Sequence, residues 1–286
     1  MALPLAKYKR IISVIKNSTS RECLTDILKL YPGVTYNTLV SIYSQEYQKK
    51  IKKEFHRHHS PDMMERYYQR YLTLSNQDFQ ESILQLIANE VDLSAFLLAR
   101  IVVERHLAHL HHNGNSPPRT TISNAMKDIT LLQNDRLARE VEQCILNDAN
   151  YGPLIENVKH STGLEYEYIL REKLNNLTLA FLDENDMRLQ GYDKTPDIKL
   201  EVPIAVNGNI VNWIESKASF GDEHSHATYM KDQYYSYLNR FGPGMVIYWF
   251  GFIKELNFDE QPGILIVDSF PLEIITLKAC TDHDCN

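Results

Sequence analysis

No stretch of this 286-residue chain is apolar over the roughly 18 residues that a membrane span needs. The most apolar run, Met245 to Ile253, is about half that length and reads as a buried strand. The first residues, MALPLAKYKR, lack the apolar core of a secretory signal. Cysteine is scarce. Cys23, Cys144, Cys280 and Cys285 are scattered, which fits a reducing compartment better than a disulfide framework. There is no glycine-rich phosphate loop and no dinucleotide fingerprint, so nothing points to a bound nucleotide cofactor. What is present is ordinary for a folded chain. Hydrophobic content of 43% and aromatic content of 10% exclude wholesale disorder, and the length allows about two domains.

Charge is distributed unevenly. Residues 1–150 carry 19 Lys+Arg against 16 Asp+Glu, a net of +3, whereas residues 151–286 carry 11 against 21, a net of −10. A weakly basic first half and a strongly acidic second half imply different jobs. An acidic half that approached nucleic acid would need its repulsion from phosphate offset, by bound metal or by the basic half.

In the first half, Leu5, Tyr8, Ile11, Ile12 and Ile15 have helical spacing. Ser20 is a candidate cap for a second helix carrying Cys23, Leu24, Ile27 and Leu28, which ends at Tyr31-Pro32-Gly33. Thr35 caps a long third helix whose positions Leu39, Tyr43, Tyr47, Ile51 and Phe55 recur every four residues. Its later turns hold Lys49, Lys50, Lys52, Lys53 and Arg57, beside His56, His58 and His59. Two helices, a tight turn and a basic third helix match a DNA-reading helix-turn-helix, the plainer alternative being a small bundle with a solvated basic face.

Ser60-Pro61 opens a second unit. Ser75 and Asp78 have capping-box spacing ahead of a helix carrying Phe79, Ile83, Leu84, Leu86 and Ile87. Within LIANEVDLSAFLLARIV, Ala88, a short turn, Ser94 as cap and Leu98 fall where helix-turn-helix units place a small residue, a turn, a cap and a buried aliphatic. Asp92 stands where such motifs usually have Gly, at a left-handed position that Asp tolerates better than most residues. Arg100 and Arg105 are offered to an outer face, for DNA or for a partner. His106, His109, His111 and His112 read as a solvated helix end. Residues 113–121 are loop by composition. Helices are expected over 122–132 and 134–147, and Tyr151-Gly152-Pro153 marks a boundary.

In the second half, residues 154–175 read as a helix or a broken pair, carrying Gly163, Glu165 and Glu167. Strands are expected over 181–189, 195–206 and 210–219, a helix over 226–241, and further strands over 245–253 and 263–269. That order defines an α/β sandwich on a mixed sheet. Asn207-Gly208 between two β-branched runs signals a hairpin. It carries Asp197 near the start of one strand, with Glu215 and Lys217 near the end of the next. A two-residue turn puts Asp197 opposite Ala218, with Glu215 and Lys217 on the other face. A three-residue loop puts Asp197 opposite Ser219, leaving Glu215 about 13 Å along the strand. Direct opposition of Asp197 and Glu215 needs a further offset of four residues. Pro203, which cannot donate a ladder bond, is the natural place for it. Regular two-residue pairing throughout would break the shared site.

Given that offset, Asp197, Glu215 and the carbonyl of Ser216 supply hard oxygens suited to Mg²⁺, with Mn²⁺ as a substitute. Lys217 would orient or deprotonate water and stabilise charge on a phosphate. Glu167 would reach metal-bound waters, and Gln233 would hold the water or a phosphate. The plainer alternative is a surface hairpin whose lysine pairs with acids. Asp222, Glu223, His224 and His226, ahead of a helix, and Cys280, His283 and Cys285, in a polar tail, are weaker metal candidates.

TPDIKLE, WIESKA and the Gly163-to-Glu167 helix resemble the PD-(D/E)xK nuclease superfamily, the restriction-endonuclease-like fold. More narrowly, Thr195-Pro196-Asp197, Trp213 to Lys217 and the FGD at 220–222 are similar to the TPD-motif family. The resemblance spans essentially the whole chain. It implies helix-turn-helix regions over 1–60 and 61–150, and an α/β/α nuclease core over 151–286 that is related to Holliday-junction resolvases and ends in a short polar tail. It also implies a metal-dependent endonuclease acting on branched or structured DNA, residence in nucleus and cytoplasm, codanin as a partner, and a role in erythroid maturation. A second reading is a non-catalytic adaptor that binds codanin and a chromatin-assembly complex through a nuclease-like domain.

Overall fold

The structure, a computed structural model, describes residues 1–18, 21–77, 81–111, 115–257 and 263–277. In chain order its elements are β1 (Ala2–Leu3), α1 (Leu5–Lys16), α2 (Cys23–Leu30), α3 (Tyr36–His58), α4 (Pro61–Ser75), α5 (Ile83–Glu90), α6 (Ala95–His111), α7 (Arg119–Lys127), a 3₁₀ turn (Ile129–Leu132) and α8 (Asp135–Asn147). They continue with α9 (Pro153–Asn176), β2 (Phe181–Asp183), α10 (Glu184–Leu189), β3 (Ile198–Val206), β4 (Asn209–Lys217) and α11 (Glu223–Tyr229). A π-helical turn (Met230–Tyr234) leads into α12 (Tyr235–Phe241), followed by β5 (Gly244–Tyr248), β6 (Phe252–Ile253), a 3₁₀ turn (Lys254–Asn257), β7 (Ile264–Val267) and β8 (Ile275–Thr276). The chain forms two compact units, residues 46–160 and residues 1–45 with 161–286.

The strand-bearing unit is built on a mixed sheet. Among the described residues its strand order is β2-β3-β4-β5-β7, with β8 also pairing β3. β2, β3 and β4 run antiparallel, and β4, β5 and β7 are parallel. β5, GMVIY, is buried along its whole length, as a central strand with covered faces must be. On one face Leu170 and Leu174 of α9 pack with Ile198, Leu200, Ile214, Met245 and Ile247. On the other, Met230, Tyr234 and Tyr237 cover Trp213, Val246 and Tyr248. Gly244 is required there, because a Cβ would lie 2.1 Å from the Trp213 ring.

Residues 1–45 belong to this unit, although the Ser60-Pro61 break and the family resemblance group them with a helix-turn-helix region over 1–60. Their apolar faces explain it: Tyr8 and Ile11 of α1, Leu24 and Ile27 of α2, and Leu39 and Ile42 of α3 join the core that contains Trp213 and Phe220. Polar contacts add to it. Thr38 Oγ1 donates to the Phe250 carbonyl at 2.7 Å, and Gln45 Nε2 to the Phe220 carbonyl at 2.7 Å. Thr35 caps α3 as expected, its hydroxyl accepting from the Thr38 amide at 3.2 Å.

The helical unit, 46–160, surrounds a core containing Tyr71, Ile83, Leu84, Leu98, Val102, Leu137 and Val141. Asp92 lies at φ 55° between α5 and α6, with the Leu93 amide donating to the Ala88 carbonyl at 3.0 Å. The Ser94 hydroxyl accepts from the Leu97 amide at 3.3 Å. So the small residue, the left-handed turn and the cap stand as the sequence pattern predicts.

Some expectations are corrected. Ser75 ends α4 instead of opening a helix, its carbonyl accepting from Arg136 at 3.0 Å. Asp78, Phe79, Ser20, His112, Cys280, His283 and Cys285 lie outside the described residues. The expected strand over 181–189 is only three residues long. Asp183 then forms a capping box with Asp186 and turns the chain into α10. The expected helix over 122–132 starts earlier, at Arg119, and yields to a 3₁₀ turn. The run 245–253 divides into β5 and β6 at Gly251, whose φ is +86°. Finally, His106 is buried, not solvated, because its ring bridges the Tyr68 hydroxyl and the Leu132 carbonyl at 3.2 Å each.

Candidate active site

The β3–β4 hairpin closes through a two-residue turn, Asn207 at φ 50° and Gly208 at φ 78°, which pairs Val206 with Asn209. Ile204 still faces Val211, but Lys199 faces Trp213. Leu200 to Pro203, on β3, therefore stand against Asn212 alone, and the register moves by three residues. Alternation slips on β4 as well: Val211 and Trp213 contribute to opposite cores. The irregularity includes Pro203, where the sequence demands it. With the two-residue turn, an offset of three is enough. Continuing the Ile198–Ile214 register by one residue sets Asp197 opposite Glu215.

The hydrogen bonds follow from that alignment. The Ser216 amide donates to Asp197 Oδ2 at 2.6 Å. Lys217 Nζ donates to Glu215 Oε1 at 2.5 Å and to Gln233 Oε1 at 3.2 Å. Gln233 is carried by the π turn, a local widening of the helix that commonly marks functional sites. Glu215 is 2% exposed, and its Oε2 has no hydrogen-bond partner. Burial pushes the Asp197 carboxyl well above the usual carboxylate range; the charges of Glu215 and, more weakly, Glu167 add to this. Burial raises Glu215 too, against the pull of Lys217. Burial opposes the charge on Lys217, but Glu215 and Asp197 overcome it and hold the ammonium above the ordinary lysine value.

Thus Asp197, Glu215, Ser216, Lys217 and Gln233 come together, and Glu167 acts on Asp197 electrostatically from α9, which is one unbroken helix. Among the described residues no three His, Cys, Asp or Glu side chains are grouped to hold a metal. Asp222 and His226 are structural: Asp222 caps the Ser225 amide at 2.7 Å and accepts from Tyr8, while His226 Nδ1 meets the Tyr248 hydroxyl at 3.0 Å. Sequence reasoning missed two neighbours. The Tyr229 ring centroid lies 4.8 Å from Lys217 Nζ, and Trp249 Nε1 donates to Ser216 Oγ at 2.8 Å. Tyr229 could have been found one helical turn before Gln233. Trp249 carries no local signal, since it reaches Ser216 only through the β4–β5 pairing.

The basic candidates separate into two kinds. Lys52, Lys53 and Arg57 are exposed on α3. Lys49 pairs with Glu46 at 2.8 Å, and Lys50 pairs with Asp92. Arg100 Nη2 lies 3.5 Å from Ser123 Oγ. Arg105, expected on an open face, instead grips Glu65 through Nε and Nη2 at 2.9 and 2.7 Å.

Comparison with known proteins agrees with the motif reading. The TPD family model, described as "Protein of unknown function TPD sequence-motif", matches residues 133–270. The chain is 48% identical to "CDAN1-interacting nuclease 1" of Xenopus tropicalis, covering 98% of this chain and 92% of the relative. It is 49% identical to the Danio rerio protein of that name over 96% and 91%, and 45% identical to the Homo sapiens protein over 97% and 98%. The chain belongs to the CDAN1-interacting nuclease 1 family. No solved structure matches it.

Proposed function

We propose that this protein is a metal-dependent endodeoxyribonuclease that acts on branched or structured DNA and works with codanin. The observation that carries this reading is the alignment of Asp197 with Glu215 across a three-residue register shift, next to Lys217 and Gln233. An uneven hairpin that buries two carboxylates and an ammonium has a stability cost and no evident packing purpose. The names of the relatives supply the words nuclease and CDAN1-interacting. The strand-bearing unit fits a PD-(D/E)xK core with its extra acid, Glu167, on α9. The α5–α6 turn fits a helix-turn-helix.

The residues suit a hard divalent cation such as Mg²⁺ or Mn²⁺. Glu215 Oε2 is a buried oxygen without a donor, and the charge around Asp197 is under-compensated. Asp197, Glu215 and the Ser216 carbonyl would hold the ion, which supplies Lewis acidity and a more acidic bound water. Lys217 would offer its positive charge to a scissile phosphate as negative charge develops on it. Gln233 fixes the lysine and offers its amide to water or phosphate. The exposed Lys52, Lys53 and Arg57 offset repulsion between nucleic acid and the acidic half. Nuclear and cytoplasmic residence and a role in erythroid maturation complete the proposal.

The net charge of −10 over residues 151–286 favours a second reading, a nuclease-like adaptor for codanin and a chromatin-assembly complex. Purified protein is incubated with labelled four-way junctions and flaps under Mg²⁺, Mn²⁺ or chelator. Cleavage that needs metal and disappears in Asp197→Ala supports the enzyme. If wild type and variant behave alike on every substrate and metal, the adaptor reading takes its place.

A further inference from the structure

The end of α3 places Lys52, Phe55, His56 and His59 at i, i+3, i+4 and i+7, so the four share one helical stripe. His59 directly follows the helix, and its amide still donates to the Phe55 carbonyl at 3.0 Å. Ile51 and His58, seven residues apart, are buried and anchor the helix, whereas Phe55 is 47% exposed. The His59 ring stacks on Phe55 with centroids 3.9 Å apart and planes at 16°, and His56 meets Phe55 edge-on at 5.9 Å. His59 Nδ1 also lies 3.0 Å from the Phe55 carbonyl. A carbonyl can only accept, so Nδ1 carries the proton and the ring is fixed with Nε2 left for a ligand.

Basic side chains frame these rings. Lys52, Lys53 and Arg57 are exposed. Glu54, the acid among them, approaches the buried His58, its Oε2 3.7 Å from Nε2. An exposed phenylalanine by itself is ordinary. One enclosed by cations has the make-up of a surface for single-stranded nucleic acid, where cations follow the phosphates and rings take the bases. Duplex is a poorer fit. A helix in the major groove meets base edges with the polar ends of its side chains, and stacking within the duplex covers the faces of the bases. The flat, open face of Phe55 is complementary to a base that has left the stack.

We infer that Phe55 and His59 form a stacking platform for an unpaired base of a DNA strand whose phosphates are held by Lys52, Lys53 and Arg57. This rests on the proposed contact of those cations with nucleic acid. It gives the branched or structured substrate a chemical meaning: the end of α3 reads unpaired strand, not duplex sequence.

The test is fluorescence anisotropy of the full chain with a short labelled oligothymidylate strand and with the same strand carrying abasic sites in place of its bases. Both are titrated in chelator, so that no cleavage intervenes. The abasic strand keeps every phosphate, so the ratio of the two affinities separates stacking from charge. The wild type is expected to favour the thymine strand. Phe55→Ala is expected to weaken that binding about tenfold, the scale of one stacked base, and to leave the abasic strand unchanged. Phe55→Trp is expected to restore the preference, and Lys52→Ala to weaken both strands alike. Thermal unfolding checks that each variant is folded. Equal affinity of the wild type for the two strands overturns the inference, as does a loss in Phe55→Ala that is the same for both strands or absent from both. If the wild type binds neither strand, the platform falls together with the part of α3 in binding nucleic acid, while metal-dependent cleavage at Asp197 and Glu215 is decided by the junction assay. A stacking loss in a protein that cleaves no junction sustains the platform and sinks the nuclease reading.

Discussion

Glu65 in the helical unit and Glu215 in the strand-bearing unit are acids facing cations, yet their surroundings act in opposite directions. Glu65 accepts from Gln69 at 2.8 Å, from Arg105 at 2.9 and 2.7 Å, and meets His109 at 3.1 Å. Burial pushes its carboxyl up, but these donors prevail and hold it at about 2. Glu215 is more deeply buried, has one cationic donor, and keeps an oxygen with none. The first arrangement ties helices together. The second maintains an electrostatic deficit that packing could have removed, and such deficits cluster where a ligand completes the site.

The largest expected effect contrasts the two lysine-or-arginine partners. Lys217→Ala should reduce metal-dependent cleavage at least about 100-fold, the cost of removing one group that stabilises developing charge. Arg105→Leu should leave the cleavage rate within about twofold, because Arg105 acts within the helical unit. Initial rates on a labelled junction measure both. Comparable losses would erase the distinction between a catalytic cation and a structural one.

Stability should respond with opposite signs. Arg105→Leu strips Glu65 of its strongest donors and should cost about 1–2 kcal/mol, a fall of a few degrees in Tm. Asp197→Asn relieves the crowding of negative charge and should stabilise the metal-free chain by about 1 kcal/mol. Calorimetry without and then with Mn²⁺ tests this. Saturating metal should reverse the order of wild type and Asp197→Asn, since that substitution removes a proposed ligand and the wild type gains from binding.

For nucleic acid the comparison lies within one helix. Neutralising Lys52, Lys53 and Arg57 should flatten the salt dependence of DNA binding by roughly one unit of log–log slope for each phosphate they engage. Neutralising Lys49 and Lys50, already paired with Glu46 and Asp92, should change it by less. Fluorescence anisotropy at several salt concentrations separates the two sets.

What sequence made legible follows from the range of each interaction. Asp92 at its left-handed turn, Thr35 as cap and Asn207-Gly208 as hairpin are set by backbone preferences within a few residues. The offset at Pro203 was legible because two charged groups could meet in no other register. The strand over 181–189 was misjudged because apolar Phe181 and Leu182 at one end and Met187 and Leu189 at the other were joined across four polar residues, where Asp183 and Asp186 cap a helix. The membership of residues 1–45 was hidden because Leu39 and Ile42 look the same whether they bury against two helices or against Phe220. Trp249 was illegible for a related reason: it reaches Ser216 through the pairing of β5 with β4, two strands distant in sequence.

The smallest effect is the most discriminating, because its sign differs between the units. Asp197 and Glu215 have raised carboxyls, so between the ordinary carboxylate range and their raised values the folded chain binds more protons than the unfolded one. The stability of that unit should therefore rise as pH falls through this window. Lys217 contributes no slope there, since its stabilisation is complete below the ordinary lysine value and is lost only in alkali. Glu65 is displaced the other way, from 4.5 to about 2, so its contribution is present above 4.5 and lost as pH falls toward 2. The two tryptophans of the chain, Trp213 and Trp249, both lie in the strand-bearing unit and make fluorescence a selective reporter of it. Amide exchange along α6 reports the helical unit. Asp197→Asn should flatten the pH dependence of the first signal alone, and Glu65→Gln that of the second alone. If either substitution flattened both, the two units would not be separate electrostatic systems.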